Sequence, residues 1–67
     1  MENIKSRLKE LRKEKELSQK QVADAIGYKQ YSIADWENGR TEPDIATIIA
    51  LARFFDVSTD YLLGVVD

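Results

Sequence analysis

The sequence predicts an all-α fold, a compact bundle of five short helices. Three observations carry that expectation. Apolar residues recur three and four apart, the spacing of a helix face. Gly27, Gly39, Gly64 and Pro43 are the only glycines and proline, and each stands where a helical stripe should stop or start. No stretch alternates apolar and polar residues between turn dipeptides, as a strand would.

The first helix spans roughly residues 3–16, with Ile4, Leu8 and Leu11 as its inward stripe and Asn3 as its expected N-cap. Lysines and arginines fill its other faces. The second begins after Ser18. Ser18-Gln19-Lys20-Gln21 has the form of a capping box, and Leu17 and Val22 flank it as a hydrophobic staple. Val22, Ala23 and Ile26 give its buried side, and Gly27 fits the left-handed position that closes it. The third helix covers about residues 30–37, anchored by Ile33 and Trp36 and ended by Asn38-Gly39. The fourth follows Pro43 with Asp44 as cap, and Ile45, Ile48, Leu51, Ala52 and Phe55 form its expected buried face. Ser58 caps the fifth, which Gly64 ends.

Sixty-seven residues hold a single domain, 1–67, and a chain of this size has a thin core. With no Cys and no His, disulfides, thiolate chemistry, zinc fingers and histidine-ligated haem are all excluded, and no metal or cofactor is expected. A hydrophobic fraction of 43% with 33% charged residues suits a folded soluble domain. No apolar run approaches the ~20 residues that a membrane span needs. The opening Met1-Glu2-Asn3 shows no basic and apolar leader, so the expected compartment is the cytoplasm.

Net charge is −2, yet it is unevenly distributed. Residues 1–21 hold seven basic against four acidic side chains, whereas residues 41–67 hold one against five. A local basic surface can therefore guide an anion although the whole chain is acidic.

The informative window is Gln19 to Asn38. Two short helices that cross through a tight turn make a helix-turn-helix, and that crossing dictates residue types. Ala23 supplies the small side chain at the contact. Gly27 supplies the positive φ of the turn. Tyr28 is expected to plug the core after it, with Ile26, Ile33 and Trp36 as anchors.

With these residues in place, the chain closely resembles the Cro/repressor-type helix-turn-helix family of phage and bacterial transcriptional regulators. The resemblance covers nearly the whole length. It rests on Arg7-Leu8 with Leu11-Arg12, on Leu17-Ser18-Gln19, and on Ile33 with Trp36-Glu37-Asn38-Gly39. Pro43, Leu51-Ala52, Asp56-Val57-Ser58 and Asp60-Tyr61-Leu62-Leu63-Gly64 complete it. It implies a lambda-repressor-like DNA-binding domain whose third helix lies in the major groove.

On that resemblance the base-reading residues are Lys29, Gln30, Tyr31, Ser32 and Asp35. Side-chain chemistry agrees in part: Gln can pair with adenine N6/N7 and Asp can accept from cytosine N4. Phosphate contacts are expected from Gln19, Lys20, Arg12, Asn38 and Arg40, with the dipole of the second helix assisting at its start. The resemblance also implies a structural ion pair between Arg12 and Glu37. Asp35, Glu42 and Asp44 depart from the family's more basic pattern and should weaken non-specific attraction.

The fourth helix holds more apolar residues than one face needs. Phe54 and Ile49, with Val65 and Val66 after Gly64, form the expected patch of a homodimer. The leading expectation is a dimeric, sequence-specific regulator of transcription, a repressor on a palindromic double-stranded operator. An antagonist protein is a further expected partner. The alternative is the antitoxin of a toxin–antitoxin pair, which binds a partner protein and its own promoter. Catalysis is not expected, because Ser18, Ser32 and Ser58 have no histidine or cysteine to work with.

Overall fold

The computed structural model describes residues 2–66, with side chains from Ile4 to Val66. Its helices are α1 (Glu2–Glu14), α2 (Gln19–Ile26), α3 (Gln30–Asn38), α4 (Ile45–Phe55) and α5 (Thr59–Leu63). No strand occurs among the described residues.

In α1 the spacing of Ile4, Leu8 and Leu11 puts all three inside the core. The helix starts at Glu2, so Asn3 lies within it and not at its cap. It also ends earlier than the sequence suggested, in a left-handed turn built without glycine. Glu16 takes φ 56°, its N–H donates to the Lys13 carbonyl (3.0 Å), and the Leu17 N–H donates to the Arg12 carbonyl (3.0 Å).

The capping box of α2 forms in full. The Gln21 N–H donates to Ser18 Oγ at 3.0 Å, and the Ser18 N–H donates to Gln21 Oε1 at 2.8 Å. Gly27 closes α2 with φ 79°, and the chain turns directly into α3. Val22 and Ala23 of α2 are buried, as are Ile33 and Trp36 of α3. A residue as small as Ala23 lets the two backbones approach. Leu62 brings α5 into the same core, which α4 completes with Ile48, Leu51, Ala52 and Phe55.

Two expectations about this core need correction. Ile45 is 77% exposed, and Thr47 takes the buried place on the first turn of α4. At 100° per residue the buried arc of α4 centres between Leu51 and Phe55, and Ile45 falls beyond its edge while Thr47 falls within it. Burying a hydroxyl requires a partner, and Tyr28 provides it, with its oxygen 2.5 Å from Thr47 Oγ1. That bond explains the second correction. Tyr28 does not plug the core: it is 39% exposed, its ring edge against Trp36 at 5.2 Å and its hydroxyl drawn to α4.

Asp44 caps α4, accepting from the Thr47 N–H at 2.8 Å. Hydrogen bonds from Thr47, the side chain first and then the backbone N–H, hold the Asp44 carboxyl below the usual carboxylate range. Stability from a carboxyl with a lowered folded pKa is complete above its unfolded value and disappears as pH falls through the folded value. Thermal melts of the wild type should therefore weaken on acidification below the ordinary value of 3.8, and Asp44→Asn should remove that part of the pH dependence while keeping a capping oxygen.

At Gly27 a β-carbon would meet nothing within 4 Å, so only backbone strain opposes a side chain there. Gly27→Val should destabilise by about 1–2 kcal/mol, and Gly27→Asn by much less, because asparagine tolerates the left-handed region. Urea unfolding of both variants checks this. Equal losses would point to a steric clash and contradict the open space seen here.

Candidate nucleic-acid interface

With Ile33, Trp36 and Glu37 turned inward, the helical repeat fixes the outward stripe of α3. It centres on Tyr31, Asp35 and Asn38, with Ala34 on one shoulder and Ser32 on the other; Gln30 falls on the Glu37 side of the helix and is exposed in its first turn. Tyr31 projects furthest, at 69% exposure. Ala34 and Asp35 are half-buried. Ser32 sits half-buried on the edge of the stripe, not at its centre. Lys29 precedes the helix in extended backbone, and its side chain makes no cap hydrogen bond. Ala34 was passed over in the sequence because it bears no polar group, although the inward pair Ile33 and Trp36 already determines its position.

Glu37 organises the edge of α3 that Gln30 begins. Its side chain is 3% exposed and receives Arg12 from α1 in a two-pronged pair, Nε to Oε2 at 2.6 Å and Nη2 to Oε1 at 2.9 Å. Arg12 Nη1 donates to the Leu17 carbonyl at 2.9 Å, at the entrance to α2. The bond to Glu37 is the largest influence holding the Arg12 guanidinium above its ordinary pKa; burial opposes it and the charge of Glu37 adds to it. Gln19, the first residue of α2, donates from Nε2 to Glu37 Oε1 at 3.2 Å. One carboxylate thus joins α1, α2 and α3. No spacing rule links Gln19 to Glu37, so nothing in the sequence could have signalled that contact.

Lys20, Arg40 and Lys5 lie near this surface. Lys20 is exposed on the first turn of α2 and meets Asp24 at 2.8 Å, one turn further on. Asn38 and Arg40 are exposed at the end of α3, where the Arg40 N–H is fixed to the Asp35 carbonyl at 2.9 Å. A β-carbon on Gly39 would stand 3.1 Å from Lys5 Cδ, so the Lys5 stem lies across this same helix end. In the sequence Lys5 looked like one more solvated lysine of α1.

The apolar surplus of α4 is not one patch. Ile49 and Phe54 are five residues apart, which places them about 140° from each other around the helix. Ile49, 40% exposed, joins Ile45 on one flank, whereas Phe54, 39% exposed, lies on the other with its ring edge on Phe55. Val65 and Val66 are exposed beyond α5. Among the described residues no cluster of His, Cys, Asp or Glu could hold a metal ion. No helix among them is long and apolar enough to cross a membrane.

Comparison with known proteins places this geometry. The helix-turn-helix family profile matches residues 8–62. The HTH-type transcriptional regulator YobD of Bacillus subtilis is 39% identical over 61 residues, 91% of this chain and 54% of that protein. The chain spans about half the length of the curated relatives it matches. Among solved structures, the P22 c2 repressor protein in complex with a synthetic operator superposes with a TM-score of 0.84 at 29% identity, covering 88% of this chain and 89% of that one. A transcriptional regulator from Listeria innocua superposes with a TM-score of 0.88 at 34% identity, covering 96% of this chain and 60% of that one.

Arg12→Ala would leave the buried Glu37 carboxylate without its cation. It should destabilise the fold by about 3 kcal/mol or more, and adding Glu37→Leu should restore a large part of that loss. Urea unfolding of the single and double variants measures both effects.

Proposed function

We propose that this chain, which belongs to the Cro/C1-type helix-turn-helix family, is a sequence-specific DNA-binding transcriptional regulator that reads the major groove with α3. The observation that carries the reading is the outward stripe of α3. Tyr31, Ala34 and Asp35 stand together on the exposed side of a helix whose inner side is fixed by Trp36 and the Arg12–Glu37 pair, and Gln30 is exposed at its first turn on the Glu37 side. Gln30 suits adenine, Asp35 suits the amino group of cytosine, and Ala34 and the Tyr31 ring suit a thymine methyl. The uncapped start of α3 leaves Lys29 free to meet a phosphate or a guanine.

The positioning contacts are assigned to Lys20 and the backbone at the start of α2, and to Asn38 and Arg40 after α3. These groups flank the stripe on both sides. Arg12 spends three of its five N–H groups on Glu37 and the Leu17 carbonyl, which leaves one on each Nη for a phosphate.

The reading includes a two-fold dimer. The longest extent of the domain is 27 Å, and successive major grooves on one DNA face are about 34 Å apart. One copy cannot reach both. Two copies related by a two-fold axis demand a palindrome, and binding across a promoter would repress. Such a protein acts in the cytoplasm of a bacterium.

Selection from random double-stranded DNA at fixed salt tests the reading. Palindromes with half-sites about 10–10.5 base pairs apart should emerge. Affinity should fall steeply with salt although the pI is about 5.0. Gln30→Ala should cost about 1–3 kcal/mol on the best site and relax one base position, whereas Arg40→Ala should weaken all sequences alike. No enriched sequence, or a flat dependence on salt, would overturn it.

A further inference from the structure

Tyr28 stands between α2 and α3 and meets three helices. Its N–H donates to the Ala23 carbonyl at 2.8 Å, at the end of α2. Its ring stands edge-on to Trp36 of α3, with centroids 5.2 Å apart. Its hydroxyl lies 2.5 Å from Thr47 Oγ1 of α4, and the bond is lost with the phenol oxygen whichever group donates. The α4 end of this tie is firm: Thr47 is buried, and its N–H donates to the Asp44 carboxylate at 2.8 Å. The other end adjoins the least supported part of α3. Gln30 opens the helix two residues after Tyr28, past Lys29 in extended backbone. No side chain caps that first turn, whereas α2, α4 and α5 each start on a cap.

Shape alone does not call for this pair. Phenylalanine and valine would fill nearly the same space, and replacing both partners of a hydrogen bond by apolar groups of equal shape costs little stability. The two hydroxyls add direction, because an apolar contact can slide and a hydrogen bond has narrow limits of distance and angle. A reading side chain works only when held within about 0.5 Å of its productive place. We propose that Tyr28 is a positioning residue for DNA recognition: through its bond to Thr47 it fixes where the uncapped first turn of α3 presents Gln30 to a base. The proposal rests on the major-groove reading of α3 and deepens it. Tyr28 itself reads nothing, since its hydroxyl is turned to α4. Asp35, in the turn that Trp36 and Glu37 anchor, does not depend on the tie.

DNA selection at fixed salt tests this with the wild type, Gln30→Ala, Tyr28→Phe, Thr47→Val and the double variant Tyr28→Phe/Thr47→Val, with thermal melts alongside. Tyr28→Phe and Thr47→Val should each relax the base position that Gln30→Ala relaxes, by roughly three- to tenfold, the size of one net hydrogen bond, and spare the other positions. The double variant strands no buried hydroxyl. It should melt above Tyr28→Phe and close to the wild type, yet still read that position loosely. In the free protein the Ser32 N–H, which closes the first turn on the Lys29 carbonyl at 3.0 Å, should exchange faster in Tyr28→Phe and in the double variant. The Gly39 N–H at the far end of α3 should not.

A bond that only stabilises the fold would give the reverse, with selectivity that follows melting temperature and returns in the double variant. That result would overturn the proposal. Uniform weakening by Tyr28→Phe, with Thr47→Val like the wild type, would make the phenol a phosphate contact and overturn it too. So would unchanged preference in both single variants, or unchanged Ser32 exchange. Each of these leaves the reading of α3 standing, because Gln30→Ala still relaxes its own position. A wild type that selects no sequence, or a Gln30→Ala variant that relaxes none, would remove that reading and the proposal together.

Discussion

Glu37 puts a carboxylate at 3% exposure between three helices, and that charge is tolerable there only while Arg12 meets it with two nitrogens. A buried charge without its partner destabilises by several kcal/mol, so neither member of the pair can leave its place between α1 and the end of α3 without loss. Apolar side chains can slide and repack. A two-pronged guanidinium–carboxylate pair has one good geometry. The third nitrogen of Arg12 extends the constraint to the Leu17 carbonyl and so to the entrance of α2. The angle at which α3 is presented is therefore set by an electrostatic joint, with the thin core of Ile33, Trp36 and Leu8 filling in behind it.

A chain of net charge −2 that approaches a polyanion has to arrange its charges in space. The basic residues belong mostly to α1 and the first turn of α2, and the acidic excess to α5 and the connections on either side of α4. Folding packs α1 against α5, where Arg7 lies over the Tyr61 ring at 4.2 Å. Acidic groups near the reading helix add a second effect. Asp24 holds Lys20 at 2.8 Å, and Asp35 stands on the stripe itself. Each lowers the attraction to an arbitrary duplex, so affinity has to come from a matching sequence.

Helix order, three of the five helix stops and three side-chain caps were legible in the sequence because each rests on local chemistry. Ser18, Asp44 and Ser58 cap as their types dictate, and Gly27, Gly39 and Gly64 take the positive φ that other residues avoid. What could not be read depends on partners distant along the chain. Thr47 is buried only because Tyr28, nineteen residues earlier, reaches it. Gln19 donates to Glu37, eighteen residues later, at 3.2 Å. The stop of α1 was missed for a different reason: Glu16 adopts a left-handed backbone that its type does not advertise. Among the candidate site residues, Tyr31 and Asp35 fall on one exposed stripe because the inward residues of a short helix fix its outward ones, and Gln30 is exposed through its place in the first turn. Ile49 and Phe54 looked adjacent in the sequence, and the pitch of α4 separates them.

Lys29 gives α3 no capping side chain, whereas α2, α4 and α5 each start on one. A nine-residue helix with an open first turn has little intrinsic tendency to persist in water. Its order is borrowed from α1 and α2 and concentrated towards Trp36 and Glu37. During folding α3 should consolidate late, after α2 and α4 have closed their own ends, and in the native state its first turn should open and reclose far more often than the rest of the molecule. The segment that carries Gln30 and Tyr31 is thus closed by backbone, through the Ser32 N–H to the Lys29 carbonyl at 3.0 Å, with no side chain capping its first turn.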